Sequence, residues 1–242
     1  MNCSNKHGLR VWILSVLLVI PIGVINATTI STFGTWNGTS SFGPSFGESG
    51  PNNPSAVATY GQTFTVPNSD NSLTSFSIWM RDNTPFNADP LVFDGYVMQW
   101  TGDRASGPVL YDSGQITLGT GHSWHEVSFS PLNLTLISGQ QYVFIVSASQ
   151  DFNGLESTAD LAGMALNTYT DGMMVNLDNG TDISKWTTEA WQPNPVSWDT
   201  VFQAQFASVP DPPRASVFAL GLAFLALEGI RRRYATRTLR RF

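Results

Sequence analysis

Four glutamates are the residues of this chain best suited to acid–base chemistry on a sugar. They are Glu48, Glu126, Glu156 and Glu189. A glycosidase holds two carboxyl groups across the bond that it cleaves, and no spacing in the sequence singles out a pair among the four. The chain also lacks a P-loop and the H-E-x-x-H motif of zinc hydrolases. We therefore predict no catalytic residue and no cofactor, and keep a divergent glycan hydrolase as an alternative.

Two histidines three residues apart, His122 and His125, suggest a metal site at first sight. Residues i and i+3 point to opposite faces of a strand, whereas zinc requires three or four converging ligands. His125 also alternates with Val127 and Phe129 along a predicted strand. We therefore expect a surface or partly packed His125 and no metal centre.

The turn Asp178-Asn179-Gly180-Thr181-Asp182 contains the hard oxygen ligands that calcium prefers. It does not match the full EF-hand loop, and Asx turns account for the same composition. The prediction is a turn without metal, with a calcium ion at Asp178 and Asp182 as the alternative.

Four tryptophans are the candidate ligand-binding residues, because an exposed indole can stack on the apolar face of a sugar ring. Trp79 shares the more polar face of its predicted strand with Ser77. A loop that covers Trp79 is the alternative to exposure. A Pro- and Asn-rich stretch could hold the other three at the rim of a loop: Trp186, Trp191 and Trp198.

The distribution of charge limits the partners of the protein. The whole chain of 242 residues carries a formal net charge of −6. Residues 28–208 contain sixteen acidic side chains and three basic ones, a formal charge of −13. A surface of this sign repels nucleic acid and anionic lipid. The same region contains no cysteine, so an ordinary hydrophobic core must hold its fold together.

Hydrophobic residues recur with a period close to two through the middle of the chain. Aromatic and β-branched residues are concentrated in seven predicted strands, at residues 62–66, 73–80, 96–100, 115–118, 124–129, 142–148 and 201–206. Turn-forming residues separate them, and no long helical period occurs between residues 28 and 208. The pattern predicts an all-β fold, an antiparallel β-sandwich of jelly-roll type. Residues 28–59 are rich in Gly, Ser and Pro, and we expect them to be partly loop.

The N-terminus has the features of a signal peptide, which would form a helix before the sandwich. Lys6 and Arg10 form a basic region, residues 11–22 are apolar, and small residues follow. We expect cleavage after Ala27. Cleavage at Gly23 and retention as an uncleaved anchor are the alternatives.

The C-terminal segment 209–242 combines a proline turn, an apolar run and an arginine cluster. Three prolines within residues 209–213 prevent a strand or helix from continuing. Residues 216–230 are apolar apart from Ser216 and Glu228, and arginines follow at once. Basic residues behind an apolar segment hold that end in the cytoplasm. We therefore predict a transmembrane helix over 216–230, which is shorter than the ~20 residues of a typical span. A buried C-terminal helix with a solvated basic end is the alternative.

This tail resembles the PEP-CTERM tails of exported bacterial proteins, which an exosortase recognises. Pro210, Asp211 and Pro212 occupy the positions of the family's signature tripeptide, with Asp where Glu is usual. Arg231, Arg232 and Arg233 occupy the positions of its basic stop. The resemblance implies processing by signal peptidase and an exosortase-type enzyme. It also implies transient residence in the inner membrane, and then a place in the cell envelope or outside the cell.

Residues 60–206 resemble a β-sandwich module that recurs in exported proteins in front of such tails. The resemblance is carried by residues 60–64, 73–77, 96–100, 107–111 and 139–144. It implies fold and location but no activity. We thus expect four parts: a signal peptide 1–27, an N-terminal approach 28–59, a β-sandwich domain 60–208 and a sorting tail 209–242.

Together these features favour a structural or adhesive role in an exopolysaccharide matrix. A carbohydrate-binding module is the first alternative, and the hydrolase is the second. We expect polysaccharide and the membrane as partners, and no nucleic acid.

Overall fold

The computed structural model describes residues 27–41, 45–50, 54–84, 89–193 and 198–208. Two short helical turns occur in them, a 3₁₀ turn at Phe33–Thr35 and the helix α1 at Lys185–Thr188. The strands are β1 Ala27–Ser31, β2 Phe46–Glu48, β3 Thr59–Thr65, β4 Ser72–Asp82, β5 Val92–Thr101, β6 Arg104–Asp112, β7 Ile116–Thr117, β8 His125–Phe129, β9 Leu134–Thr135, β10 Gln141–Ser147, β11 Ser157–Leu161, β12 Gly163–Met164, β13 Met174–Leu177, β14 Gln192–Pro193, β15 Asp199–Thr200 and β16 Phe202–Ala207.

The strands form two antiparallel sheets and one small ladder. The first sheet has the order β1-β16-β4-β11-β2, with β8 and β9 also paired to β4. The second has the order β14-β13-β3-β10-β5-β6, with β7 also paired to β5, and β12 pairs with β15. This arrangement confirms the all-β, antiparallel prediction, and each of the seven predicted strands overlaps an observed one. The jelly-roll connectivity stays a prediction.

Phenylalanine is the most frequent residue of the core between the two sheets. The ring of Phe76 on β4 stacks on Phe144 of β10 at 4.1 Å and on Phe202 of β16 at 5.4 Å, both nearly parallel. All three side chains are buried. Burial of each contributes roughly 1.5–3 kcal/mol relative to exposure. Because Phe144 lies in the second sheet and Phe76 in the first, these contacts hold the two sheets face to face as a sandwich.

The inward and outward faces of β4 follow the predicted alternation. Phe76, Ile78 and Met80 are buried in the core between the sheets. Ser77 and Trp79 point to the opposite, outer face, where Trp79 belongs to a separate small cluster. A strand places successive side chains on opposite faces, so this division is a local property of the sequence.

Residues 28–59 contribute strands to the sandwich. Every residue of β1 pairs with β16, from Ala27 opposite Ala207 to Ser31 opposite Gln203. The hydroxyl of Thr28 also donates a hydrogen bond to the carboxylate of Asp70. Part of the expected loop is therefore a strand of the first sheet.

The segments predicted to be a signal helix and a sorting tail lie outside the described residues. This holds for residues 1–26, for Pro210, Asp211 and Pro212, for residues 216–230, and for Arg231 to Arg233. Within the part of the chain that the structure covers, the helices are too short and insufficiently apolar to cross a membrane.

Candidate functional site

The outer face of the first sheet carries a polar groove of about 450 Å³. Antiparallel pairing places Ser77 of β4 opposite both Ser128 of β8 and Gln203 of β16, and Ser75 opposite Gln205. The three strands thus present rows of hydroxyl and amide side chains on one surface. The volume lies within the ~300–1,000 Å³ range of small-ligand sites. We call this surface the polar groove; its lining includes Ser75, Ser77, Glu126, Ser128, Gln203 and Gln205.

Most polar groups of the groove are free to bind a ligand. The hydroxyl of Ser77 donates to that of Ser128 at 3.2 Å, which fixes the floor of the groove. The side-chain amides of Gln203 and Gln205 make no hydrogen bond to another described residue, and Gln205 is exposed. Each amide offers two donor hydrogens and one acceptor oxygen. The groove therefore combines donors and acceptors at fixed spacing, as a ligand rich in hydroxyl groups requires.

An aromatic wall adjoins the groove. Trp79 follows Ser77 on the same face of β4, and the ring of Phe33 stacks on Trp79 at 4.5 Å and 18°. Phe33 is 45% exposed, whereas Trp79 is only 9% exposed. Trp36 continues the wall 6.4 Å from Phe33, with its ring edge to face against Trp124 at 5.3 Å. The open aromatic surface beside the groove thus belongs to Phe33, which the sequence did not single out.

Trp79 is therefore not an exposed platform, and the structure shows the other arrangement that the sequence left open, in which a neighbouring segment covers it. The 3₁₀ turn that follows β1 places Phe33 over the indole. The hydroxyl of the buried Thr32 fixes this turn: it donates to the carbonyl of Thr200 at 2.8 Å and accepts from the backbone N–H of Phe202 at 3.0 Å. Hydrogen bonds between residues distant in sequence thus hold Phe33 over Trp79, and no local sequence pattern reveals them.

The predicted rim of tryptophans is also wrong for two of its three members. Trp186 and Trp191 are each 2% exposed. Trp186 in α1 packs its edge on Tyr96 at 4.9 Å, and Trp191 packs on Trp100 at 5.8 Å, so both cover the outer face of the second sheet. Trp198 is half-buried and packs against the core between the sheets. The buried indoles of Trp186 and Trp191 offer no open face to a sugar.

The candidate metal ligands do not converge. His122 and His125 are both exposed, and the Nδ1 of His122 lies 3.0 Å from the backbone carbonyl of Asp82. The carboxylate of Asp182 accepts hydrogen bonds from the N–H and hydroxyl of Ser184 at 3.0 and 2.6 Å, as expected of an Asx turn. Asp178 is exposed. Across the described ranges, no group of three or more His, Cys, Asp or Glu residues could hold a metal ion.

The glutamates are dispersed, and one of them lines the groove. Both carboxylate oxygens of Glu48 accept hydrogen bonds, each at 2.8 Å, from the backbone N–H groups of Asn153 and Gly154. Glu189 pairs with Lys185 across a turn of α1 at 3.4 Å. Glu126 lies opposite Trp79 and is the one carboxylate among the described lining residues of the groove. The pair of carboxylates that a glycosidase needs is not found there.

Residues 43–47 also have the G-x-S-x-G pattern of a nucleophile elbow. Ser45 accepts a hydrogen bond from the side chain of Asn83 at 3.2 Å and donates one to Asp160 at 3.4 Å. It is followed by strand β2 and not by a helix, and no histidine among the described residues bonds to it. The sequence motif therefore lacks the structural context of a catalytic serine.

A carboxyl pair lies on the other sheet. Asp94 of β5 is 5% exposed, and its burial raises its pKa to about 6. The charges of Asp151 and Asp112 and a hydrogen bond with Asp151 raise this pKa further, whereas a hydrogen bond from Tyr96 lowers it. Carboxyl groups in hydrogen-bond contact leave no space for a sugar between them, because a retaining glycosidase needs about 5 Å. We interpret this pair as a structural feature.

No protein-family model and no curated protein matches this chain. A similar solved structure contains the cysteine protease and lectin-like domains of Cwp84, a surface layer associated protein of Clostridium difficile. The two sequences are 10% identical with a TM-score of 0.38, and the likeness covers 62% of this chain and 32% of that one. This chain thus spans about a third of the length of that protein. A likeness of this extent carries no argument about fold or function.

Proposed function

We propose that this protein is an exported, non-enzymatic β-sandwich protein that binds neutral glycans, and that it has an adhesive role in an exopolysaccharide matrix. The observation that carries the proposal is the polar groove, where hydroxyl groups of β4 and β8 and the unpaired side-chain amides of β16 lie beside the exposed ring of Phe33. Sugars present hydroxyl groups at their edges and apolar C–H groups on their faces. The groove supplies a partner for each.

The charge of the site supports a neutral ligand. Glu126 is exposed and forms no ion pair with a described residue. The nearest cation along the same face of β4 is Arg81, and its guanidinium already donates twice to Asp160, at 2.8 and 2.7 Å. An acidic sugar would therefore meet an unpaired carboxylate without an available counter-charge. The formal charge of −13 over residues 28–208 also repels an acidic ligand.

Export and sorting are proposed from the sequence of the two ends. Residues 11–22 supply the apolar core of a signal peptide. The tail supplies Pro210-Asp211-Pro212, the apolar run and the arginines, in the order in which an exosortase substrate has them. We propose signal peptidase and an exosortase-type enzyme as processing partners, and a jelly-roll sandwich as the part that is delivered outside.

Glycan binding is tested with the full-length chain in mild detergent. Neutral gluco-, manno- and galacto-oligosaccharides are compared with oligogalacturonates by calorimetry. Replacement of both amides, Gln203→Ala with Gln205→Ala, removes hydrogen bonds worth about 0.5–1.5 kcal/mol each, so we expect roughly tenfold weaker binding of a neutral ligand. Gln192→Ala on the far edge of the second sheet is the matched control and should bind as the parent chain does.

Two outcomes would contradict this proposal. One is no binding to any glycan of the panel. The other is binding that the double variant leaves unchanged, because the groove would then not be the site. Release of shorter sugars from the panel would instead favour the hydrolase alternative.

Sorting is tested in the bacterium that makes the protein. Replacement of Arg231, Arg232 and Arg233 by Ser removes the charges that hold the C-terminal end in the cytoplasm, so we expect altered membrane retention and an altered mass of the mature protein. Cell fractionation and mass spectrometry measure both. Unchanged location together with unchanged mass would refute a sorting role of the arginines.

A further inference from the structure

A second hollow lies beside the polar groove, at the free edge of β8. It has a volume of about 400 Å³ and lies between β8 and the segment 116–120, which includes β7 of the second sheet. We call it the edge hollow. Glu126 and Ser128 line both the polar groove and the edge hollow. The two depressions therefore meet at β8 and share these side chains.

The position of β8 leaves this junction open. Among the described strands, β8 pairs with β4 alone, so its other edge forms no ladder. Side chains alternate along it: Glu126 and Ser128 face the polar groove, and Val127 packs toward the core beside the edge hollow. A ligand in the groove can thus continue around β8 without crossing another strand.

The edge hollow has the mixed chemistry that a sugar ring requires. Ile116 and Val127 are half-buried and supply apolar surface, while the exposed hydroxyls of Thr117 and Thr120 supply hydrogen-bonding groups. His125 adds an imidazole at its rim. As in the polar groove, no lysine or arginine is among the described residues of its lining.

We propose that the polar groove and the edge hollow form one extended site for a neutral oligosaccharide of several rings, with Glu126 and Ser128 at its middle. This inference rests on the proposed glycan binding and specifies the ligand: a chain rather than a single sugar, and a neutral one rather than a uronate. A uronate ring at the junction would place its carboxylate against that of Glu126. Affinity should therefore rise with chain length.

Gly119 offers a way to block the edge hollow without disturbing the fold. A Cβ atom at Gly119 would meet no other atom within 4 Å, and its backbone does not have the left-handed conformation that favours glycine. Gly119→Leu therefore fills space at the wall of the hollow. Thr181→Leu, which adds a similar apolar group to an exposed turn outside the lining of both depressions, is the matched control.

The experiment measures the affinity of the full-length chain for gluco- and manno-oligosaccharides of two to six rings by calorimetry. In the parent chain and in Thr181→Leu, we expect six-ring ligands to bind at least tenfold more tightly than two-ring ligands. In Gly119→Leu this ratio should fall close to one. In Glu126→Gln, the affinity for a six-ring oligogalacturonate should rise relative to that for the neutral chain.

The outcomes separate this inference from the proposal beneath it. Binding that depends on Gln203 and Gln205 but not on chain length or on Gly119→Leu would overturn the extended site and leave glycan binding in place. The absence of any glycan binding would overturn both. An oligogalacturonate preferred by the parent chain would overturn the assignment to neutral ligands.

Discussion

Individual carboxyl groups in this acidic protein behave very differently according to their burial. Asp94 is buried against Asp151, and its pKa rises to about 6 in the folded protein. An unfolded aspartate has a pKa of about 3.9, so folding favours the protonated form of Asp94. The stability that this group contributes is therefore fully present below about pH 4, and it is lost as the pH rises through about 6. The pKa of Asp182 shifts in the opposite direction, because hydrogen bonds from Ser184 lower it at an exposed turn.

Asp94→Asn should remove this loss of stability. The amide cannot ionise, so the free energy of unfolding of the variant relative to the parent should rise by roughly 1–3 kcal/mol between pH 4 and pH 7. Urea unfolding at several pH values measures the difference. The control Asp171→Asn removes an exposed carboxylate and should show no such rise. A difference for Asp94→Asn that does not depend on pH would contradict the argument.

Short elements, rather than long strands, decide which surfaces of the two sheets are open. The 3₁₀ turn at Phe33–Thr35 covers Trp79 on the first sheet. The helix α1 brings Trp186 over Tyr96 on the second, and the indole N–H of Trp191 donates to the carbonyl of Trp186 at 2.9 Å. The second sheet is thereby closed on its outer face, and the first keeps its groove.

The 3₁₀ turn depends on one buried hydroxyl. Thr32→Val keeps the shape of the side chain but leaves the N–H of Phe202 and the carbonyl of Thr200 without this partner. We expect a loss of about 1–3 kcal/mol of stability, together with a change in tryptophan fluorescence as Phe33 moves from Trp79. Thr39→Val, at an exposed hydroxyl near the same turn, should change stability by less than about 0.5 kcal/mol. Equal stabilities of the two variants would show that Thr32 does not fix the turn.

At the scale of the whole molecule, charge repulsion opposes folding. Residues 28–208 carry a formal charge of −13 with no cysteine to form a disulfide. Ion pairs offset little of this charge, because Arg81, Arg104 and Lys185 are the basic residues available there. Cations in solution should therefore stabilise the fold by general screening.

Calcium and magnesium should raise the melting temperature by similar amounts. A specific calcium site at Asp178 and Asp182 would add about 2.7 kcal/mol at a hundredfold excess over its Kd, but the carboxylate of Asp182 already binds Ser184. Thermal melts in the two divalent salts, with sodium chloride at matched ionic strength, test this. A rise selective for calcium that disappears in Asp178→Ala would prove the screening argument wrong.

The sequence by itself determined the class of the fold and the two faces of its strands. Phe76 and Ile78 inside, with Ser77 outside, follow from a two-residue alternation that only neighbouring positions define. The same rule correctly placed Trp79 on the outer face. It did not predict β6, because Gly107 and Pro108 interrupt the apolar period of this exposed edge strand.

The tertiary structure alone decided which side chains form the polar groove. The polar groove is formed by Ser77, Ser128 and Gln203, which are distant in sequence and meet only through the register of β4 with β8 and β16. Trp79 is covered by Phe33, which lies 46 residues before it in the sequence. Such contacts depend on long-range pairing and on hydrogen bonds like those of Thr32. Composition and periodicity describe each segment separately, and therefore could not specify which side chain covers another.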